Sequence, residues 1–188
     1  MSNYDYDREA EEGIRNLLRS VGEDPEREGL LDTPKRVVKA YAQMTEGYDI
    51  KIADILGVTF DVGNVDEMII VRRIDFVSLC EHHLLPFTGT ATVAYIPNGR
   101  VVGLSKIARL VDAYARRLQV QERLTTQITT ALDEFLDTKG SAALIKGTHA
   151  CMSCRGVRKA GAEMVTSSLT GVFRDAETRN EFISLSNI

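Results

Sequence analysis

The chain has no tryptophan, four prolines, three cysteines and three histidines in 188 residues. Prolines this sparse leave room for long uninterrupted helices and strands. No apolar run approaches the roughly 18 residues that cross a bilayer, so no membrane contact is expected. The stretch from Met1 to Glu12 is acidic and polar, so no secretory signal is expected either. Basic residues are not in excess: 23 Lys and Arg face 27 Asp and Glu, a net charge of −4. That argues against a nucleic-acid partner, while allowing a local basic pocket. Few cysteines and no export signal point to a reducing, cytoplasmic setting without a disulfide framework.

What the chain does contain is concentrated. Every cysteine and histidine falls in one of two windows, Cys80-Glu81-His82-His83 and His149-Ala150-Cys151-Met152-Ser153-Cys154. A single free cysteine is usually a small buried hydrophobe. Clustering of this kind points to metal or chemistry instead. Thiolate sulfur and imidazole nitrogen are zinc donors, usually in a tetrahedral shell.

The rest of the chain reads as one α+β catalytic domain, residues 63–188, preceded by a helical extension, residues 1–62. Ile14, Leu17, Leu18 and Val21 recur at helical spacing. Thr33-Pro34 reads as a cap followed by proline at the first helical position. Val37, Val38, Tyr41 and Met44 form that helix's apolar stripe. Beyond Gly63 the period changes. Strands are expected over residues 68–79, 88–96, 142–151 and 164–173, the last with Val165, Leu169 and Phe173 on one face. Two helices lie between the second and third strands. Ser105 can cap the first, whose stripe is Ile107, Leu110, Val111, Tyr114 and Leu118. The second turns Leu124, Ile128, Ala131, Leu132 and Phe135 inward, and a short terminal helix follows Asp175. The order ββααββ predicts an antiparallel sheet with both helices on one face, leaving the other face and the edges needing cover. Association with further copies is the natural remedy.

Two arrangements of the metal ligands are open. Cys80, His83, Cys151 and Cys154 would close a structural shell. Two thiolates and one imidazole would leave a vertex open to water, the mark of a catalytic site. His82 and His149 favour the open site, because imidazole is the default acid or base near neutral pH. If the third strand continues through 151, His149 and Cys151 face the same way. Ser105, Lys106 and Arg109 open a helix, where backbone N–H groups, a hydroxyl and two cations suit an anion. Arg155 follows the second cluster directly, and Arg36 and Lys39 stand one turn apart on an earlier helix. Glu122 can accept two parallel hydrogen bonds from paired N–H donors, such as those on the Watson–Crick edge of guanine.

These residues carry a resemblance. The run from Phe76 to Phe87, Gly103-Leu104-Ser105-Lys106-Ile107-Ala108-Arg109, Gln119 to Thr125 and His149-x-Cys151-Met152-x-x-Arg155-Gly156-Val157 resemble, in order, the motifs of the GTP cyclohydrolase I family. Thr33 to Val37 resembles its N-terminal helix start. The resemblance implies a Zn2+ enzyme that hydrolytically opens the guanine imidazole ring of GTP with zinc-activated water. It would release formate and 7,8-dihydroneopterin triphosphate, a first step toward pterins and folates. It also implies a tunnelling fold and a homodecamer with sites at subunit interfaces. Carried over by position, Cys80, His83 and Cys151 hold zinc, and His82 and His149 handle protons. Glu122 anchors guanine, and Arg36, Lys39, Ser105, Lys106, Arg109 and Arg155 surround the triphosphate and ribose. Cys154 is expected to be a bystander.

Overall fold

The computed structural model describes residues 4–63 and 65–187. Contacts divide the chain into two compact units, Met1–Thr45 and Glu46–Ile188. In the first, α1 (Tyr4–Ser20) packs on α2 (Thr33–Met44). Thr33 is the first helical residue of α2 rather than its cap; Asp32 holds the cap position and Pro34 is buried in the first turn.

Residues 46–62, which the sequence groups with the N-terminal helices, pack in the second unit. They form a 3-10 turn (Glu46–Asp49), α3 (Ile52–Leu56) and β1 (Thr59–Asp61). α3 contributes Ile55 and Leu56 to the main core. β1 pairs antiparallel with β4 (Arg100–Val102).

The main sheet is built from β2 (Ile69–Cys80), β3 (Pro86–Ile96), β5 (Leu118–Gln119), β6 (Gly140–His149) and β7 (Met164–Leu169). Their order is β5-β2-β3-β6-β7. The four long strands are antiparallel, and β5 adds a short parallel edge beside the end of β2. Alternation along β3 sends Ala91, Val93 and Tyr95 into the main core. There they meet Ile107, Leu110 and Val111 of α4 (Leu104–Ala115) and Leu124, Ile128 and Leu132 of α5 (Gln121–Leu136). Both helices thus cover one face. On the other, Ala94 and Ala142 pack against Phe173 and Phe182. Those aromatics come from a 3-10 turn (Gly171–Arg174) and α7 (Ala176–Ser186), so the C-terminal segment supplies part of the missing cover.

Several local expectations change. Ser105 lies inside α4, whose cap position is Gly103 with no side-chain bond. Phe135 is 38% exposed, while Leu136, one full turn beyond Leu132, is buried in its place. The fourth long strand stops at Leu169; Val165 is 53% exposed and Phe173 is buried from the 3-10 turn instead. The third ends at His149, and Cys151 sits on a one-turn helix, α6 (Ala150–Ser153). His149 and Cys151 are therefore not related by strand alternation.

In β2, Val71 pairs with Val93 and Ile74 with Ala91, so Arg72 and Arg73 together stand opposite Thr92. Arg73 adopts φ 56°, and the bulge keeps Ile74 in phase with the core. In β3, a Cβ on Gly89 would lie 1.9 Å from the Lys146 carbonyl oxygen of the neighbouring strand. That atom is backbone in the centre of the sheet and cannot swing away. Gly89→Ala is expected to lose about 3 kcal/mol, the upper end for overpacking, read as a fall in the denaturation midpoint at unchanged slope.

Candidate metal centre and substrate site

At the end of β2 the chain reverses tightly. The Cys80 N–H donates to Leu85 O at 2.9 Å, and the His83 and Leu84 N–H groups donate to Cys80 O at 3.3 and 2.8 Å. Leu84 takes φ 55° to close the turn. This reversal brings two residues three apart onto one side, with Cys80 Sγ 3.7 Å from His83 Nδ1. The β3–β6 register pairs Phe87 with His149, which sets the second cluster beside the first. The turn of α6 then supplies Cys151. The three ligand atoms of Cys80, His83 and Cys151 lie within 4.8 Å of one another.

Cys154 is exposed and outside this group, so among the described residues the four-ligand shell is not assembled. Two thiols and an imidazole make a zinc donor set with a vertex to spare. Burial and the neighbouring Cys80 push the Cys151 thiol up. A divalent cation reverses this, because it stabilises both thiolates at once. The residues present fit zinc.

His149 stands beside this group in a fixed pose. Its ring stacks on Phe87 at 4.6 Å between centroids and 4° between planes. Its Nε2 lies 2.9 Å from Gln121 Oε1. Gln121 is fully buried at the first turn of α5, and its amide nitrogen donates toward Ile145 O, Met164 O and Thr166 Oγ1 at 3.0–3.1 Å. Two of those partners are carbonyls that can only accept, so the amide orientation is dictated and Oε1 must face the imidazole. His149 therefore carries its proton on Nε2 when neutral. Burial pushes the His149 pKa down, and Glu122 draws it partly back. A Cβ on Gly147 would sit 2.3 Å from Gln121 Oε1, so the missing side chain makes room for this amide. Gln121 is the residue that sequence reasoning passed over. A glutamine in a helix's first turn reads as surface, and only the fold buries it.

Glu122 is exposed, next to this network. Its neighbour Arg123 clamps Glu81 with two bonds of 2.5 and 3.0 Å, tying α5 to the ligand-bearing turn. The guanidinium holds the Glu81 carboxyl below its ordinary range. His82 points into solvent, 65% exposed, with Nε2 3.9 Å from Glu81. Arg155 Nη1 lies 3.1 Å from His83 Nε2, so this cation does converge on the centre. Ser105, Lys106 and Arg109 occupy the first two turns of α4 and share no hydrogen bond or ion pair with the group among the described residues. Arg109 instead lines a cavity of about 250 Å3 with Glu46, Asp112 and Arg116. Arg36 and Lys39 lie in the N-terminal unit, where Arg36 pairs with Asp32 at 3.1 Å.

A family model described as GTP cyclohydrolase I matches residues 10–187. The chain belongs to that family. Relatives named GTP cyclohydrolase 1 agree. One from Synechococcus sp. is 57% identical, covering 92% of this chain and 76% of its own. One from Deinococcus radiodurans is 54% identical over 90% and 79%, and one from Allorhizobium ampelinum 53% over 88% and 83%. Among solved structures, an apo archaeosine synthase QueF-Like matches at 17% identity and TM-score 0.46, over 55% of this chain and 93% of that one.

The buried amide predicts a measurable cost. Gln121→Leu strips its donors from the Ile145 and Met164 carbonyls and is expected to destabilise by about 1–3 kcal/mol. Denaturation of the zinc-loaded protein reads it, with metal content unchanged because Gln121 touches no ligand atom.

Proposed function

We propose that this protein is a GTP cyclohydrolase I. It converts GTP and water to formate and 7,8-dihydroneopterin triphosphate, opening the guanine imidazole ring by hydrolysis at carbon 8. The observation that carries this reading is the three-residue donor group of Cys80, His83 and Cys151 beside the oriented imidazole of His149. These three side chains would hold Zn2+. When bound, zinc supplies Lewis acidity and lowers the pKa of water at its open vertex to about 7.

The chain's own groups do the rest. Glu122, a carboxylate at the start of α5, accepts the paired N–H donors of guanine and sets the base in place. With Nε2–H donated to Gln121, Nδ1 of His149 is the atom left to take up and give back a proton. Burial weakens this imidazole as a base and makes its protonated form a stronger acid. It delivers that proton to the ring nitrogen beside carbon 8, which makes the carbon more electrophilic. His82, solvent-facing and beside Glu81, relays protons to and from the reacting side. Arg155 meets the triphosphate from the metal side, with Ser105, Lys106, Arg109, Arg36 and Lys39 as the remaining cations and hydroxyl.

Among the described residues Lys106 and Arg109 share no hydrogen bond or ion pair with the metal group, which supports a site completed at a subunit interface. The edges at β5 and β7, and the exposed Val165 on β7, support assembly by strand pairing, in a homodecamer of the tunnelling type. Among the described residues no helix is long and apolar enough to cross a membrane, and the cysteine usage favours the cytoplasm.

Zinc-loaded protein incubated with GTP should release formate and develop dihydropterin absorbance. His149→Ala is expected to keep its zinc and lose formate release by about a hundredfold or more, the scale of general acid catalysis. Loss of the metal in that variant would refute the role given to His149. Metal analysis should also find Cys151→Ala depleted of zinc and Cys154→Ser fully loaded. GTP should raise the melting midpoint of the wild type; an unmoved midpoint with no formate would sink the reading.

A further inference from the structure

We infer that the face of the sheet turned away from α4 and α5 carries a second anion site, one that takes a multiply charged phosphate. A cavity of about 340 Å3 lies there, lined by Arg73, Thr90, Thr92, Leu144, Lys146, Ser186 and Asn187. That volume suits a small ligand. Among the described residues its lining supplies an ammonium, a guanidinium, three hydroxyls and an amide, with no side-chain carboxylate and no aromatic ring. Such a set recognises charge and oxygen rather than a base or an apolar body.

The chain goes out of its way to place these groups. Strict alternation along β2 would turn Arg73 toward the core, because Val71 and Arg73 are two apart. The bulge adds one residue, sends Arg72 and Arg73 both to the far face, and returns Ile74 to the core. It holds Arg73 at φ 56°, an unfavourable conformation for a residue with a side chain. Arg72 then donates to the Leu185 carbonyl at 2.9 Å, near the end of α7. This offsets part of the negative helix end that borders the cavity. Arg73 has a partner of its own, so the weight falls on Lys146, which shares the Thr90 row of the sheet. Asp75, exposed and directly across from Thr90, is a carboxylate on this face that does not line the cavity. The candidate metal centre lies beyond the ends of these strands, where Cys80 ends β2 and His149 ends β6; Arg73 is seven residues before Cys80, and Lys146, three before His149, alternates to the opposite face of the sheet.

The probe is inorganic pyrophosphate titrated onto zinc-loaded protein by calorimetry, with citrate as a carboxylate control. Lys146→Glu is expected to weaken a pyrophosphate isotherm at least about tenfold, as loss of a charge-assisted contact requires. Lys146→Arg should keep it, and GTP turnover should be unchanged in both. Should Lys146→Glu fail to fold, Lys146→Gln and Thr92→Val carry the same comparison. Identical isotherms in wild type and variants, no pyrophosphate binding to the wild type at millimolar concentration, or equal binding of citrate would each overturn the inference. GTP turnover is read separately, so its absence would count against the proposed activity and not against this site.

Discussion

The pairing of Phe87 with His149 across β3 and β6 is the constraint on which the candidate site depends. It joins two segments whose ligands are far apart in sequence. Shifting that register by one residue would turn His149 to the opposite face and carry Cys151 away from Cys80 and His83. The register is well specified. Ten consecutive pairs run from Phe87–His149 to Ile96–Gly140, and the buried Ala91, Val93, Ala143 and Ile145 keep the inner face apolar. Packing in the middle of the sheet thus sets geometry at its end.

Around that pairing, the site is held by hydrogen bonds more than by charge. His149 is caught between a stacked Phe87 and the Gln121 amide, and Gln121 is itself pinned by carbonyls of two different strands. Thr125 and Thr166 extend the same network, their hydroxyls 2.7 Å apart. An imidazole held by such a buried, satisfied network has little freedom to drift. The more exposed members, His82 and Glu122, stand where substrate and water would reach them.

Much of this was legible in the sequence. The clustering of cysteine and histidine marked the two segments that the fold brings together, and the change of hydrophobic period beyond Gly63 marked the long strands. The α4 and α5 stripes were readable because Ile107, Leu110, Leu124 and Ile128 repeat at helical spacing. What failed was decided by tertiary contact. Cys151 belongs to a single helical turn too short to leave a periodic trace. Phe173 looked like a strand residue, yet it is buried from a 3-10 turn against Phe182. β5, two residues long, exists only because the end of β2 lies alongside it. Residues 46–62 carry helical patterning that suited the N-terminal helices, but β1 finds its partner in β4.

The tight reversal from Cys80 to Leu85 has a consequence for the order of assembly. Three of its backbone hydrogen bonds join residues of the turn itself, so the Cys80–His83 half of the donor set can take shape as this hairpin closes, while the Glu81 N–H reaches Gln119 O at 3.0 Å only once β5 docks. Cys151 arrives only when β6 has docked, a contact between distant stretches of chain. An ion bridging the two halves would therefore act as a clasp on the open end of the sheet. Its capture would register that strand docking is complete, and its withdrawal would loosen that end first.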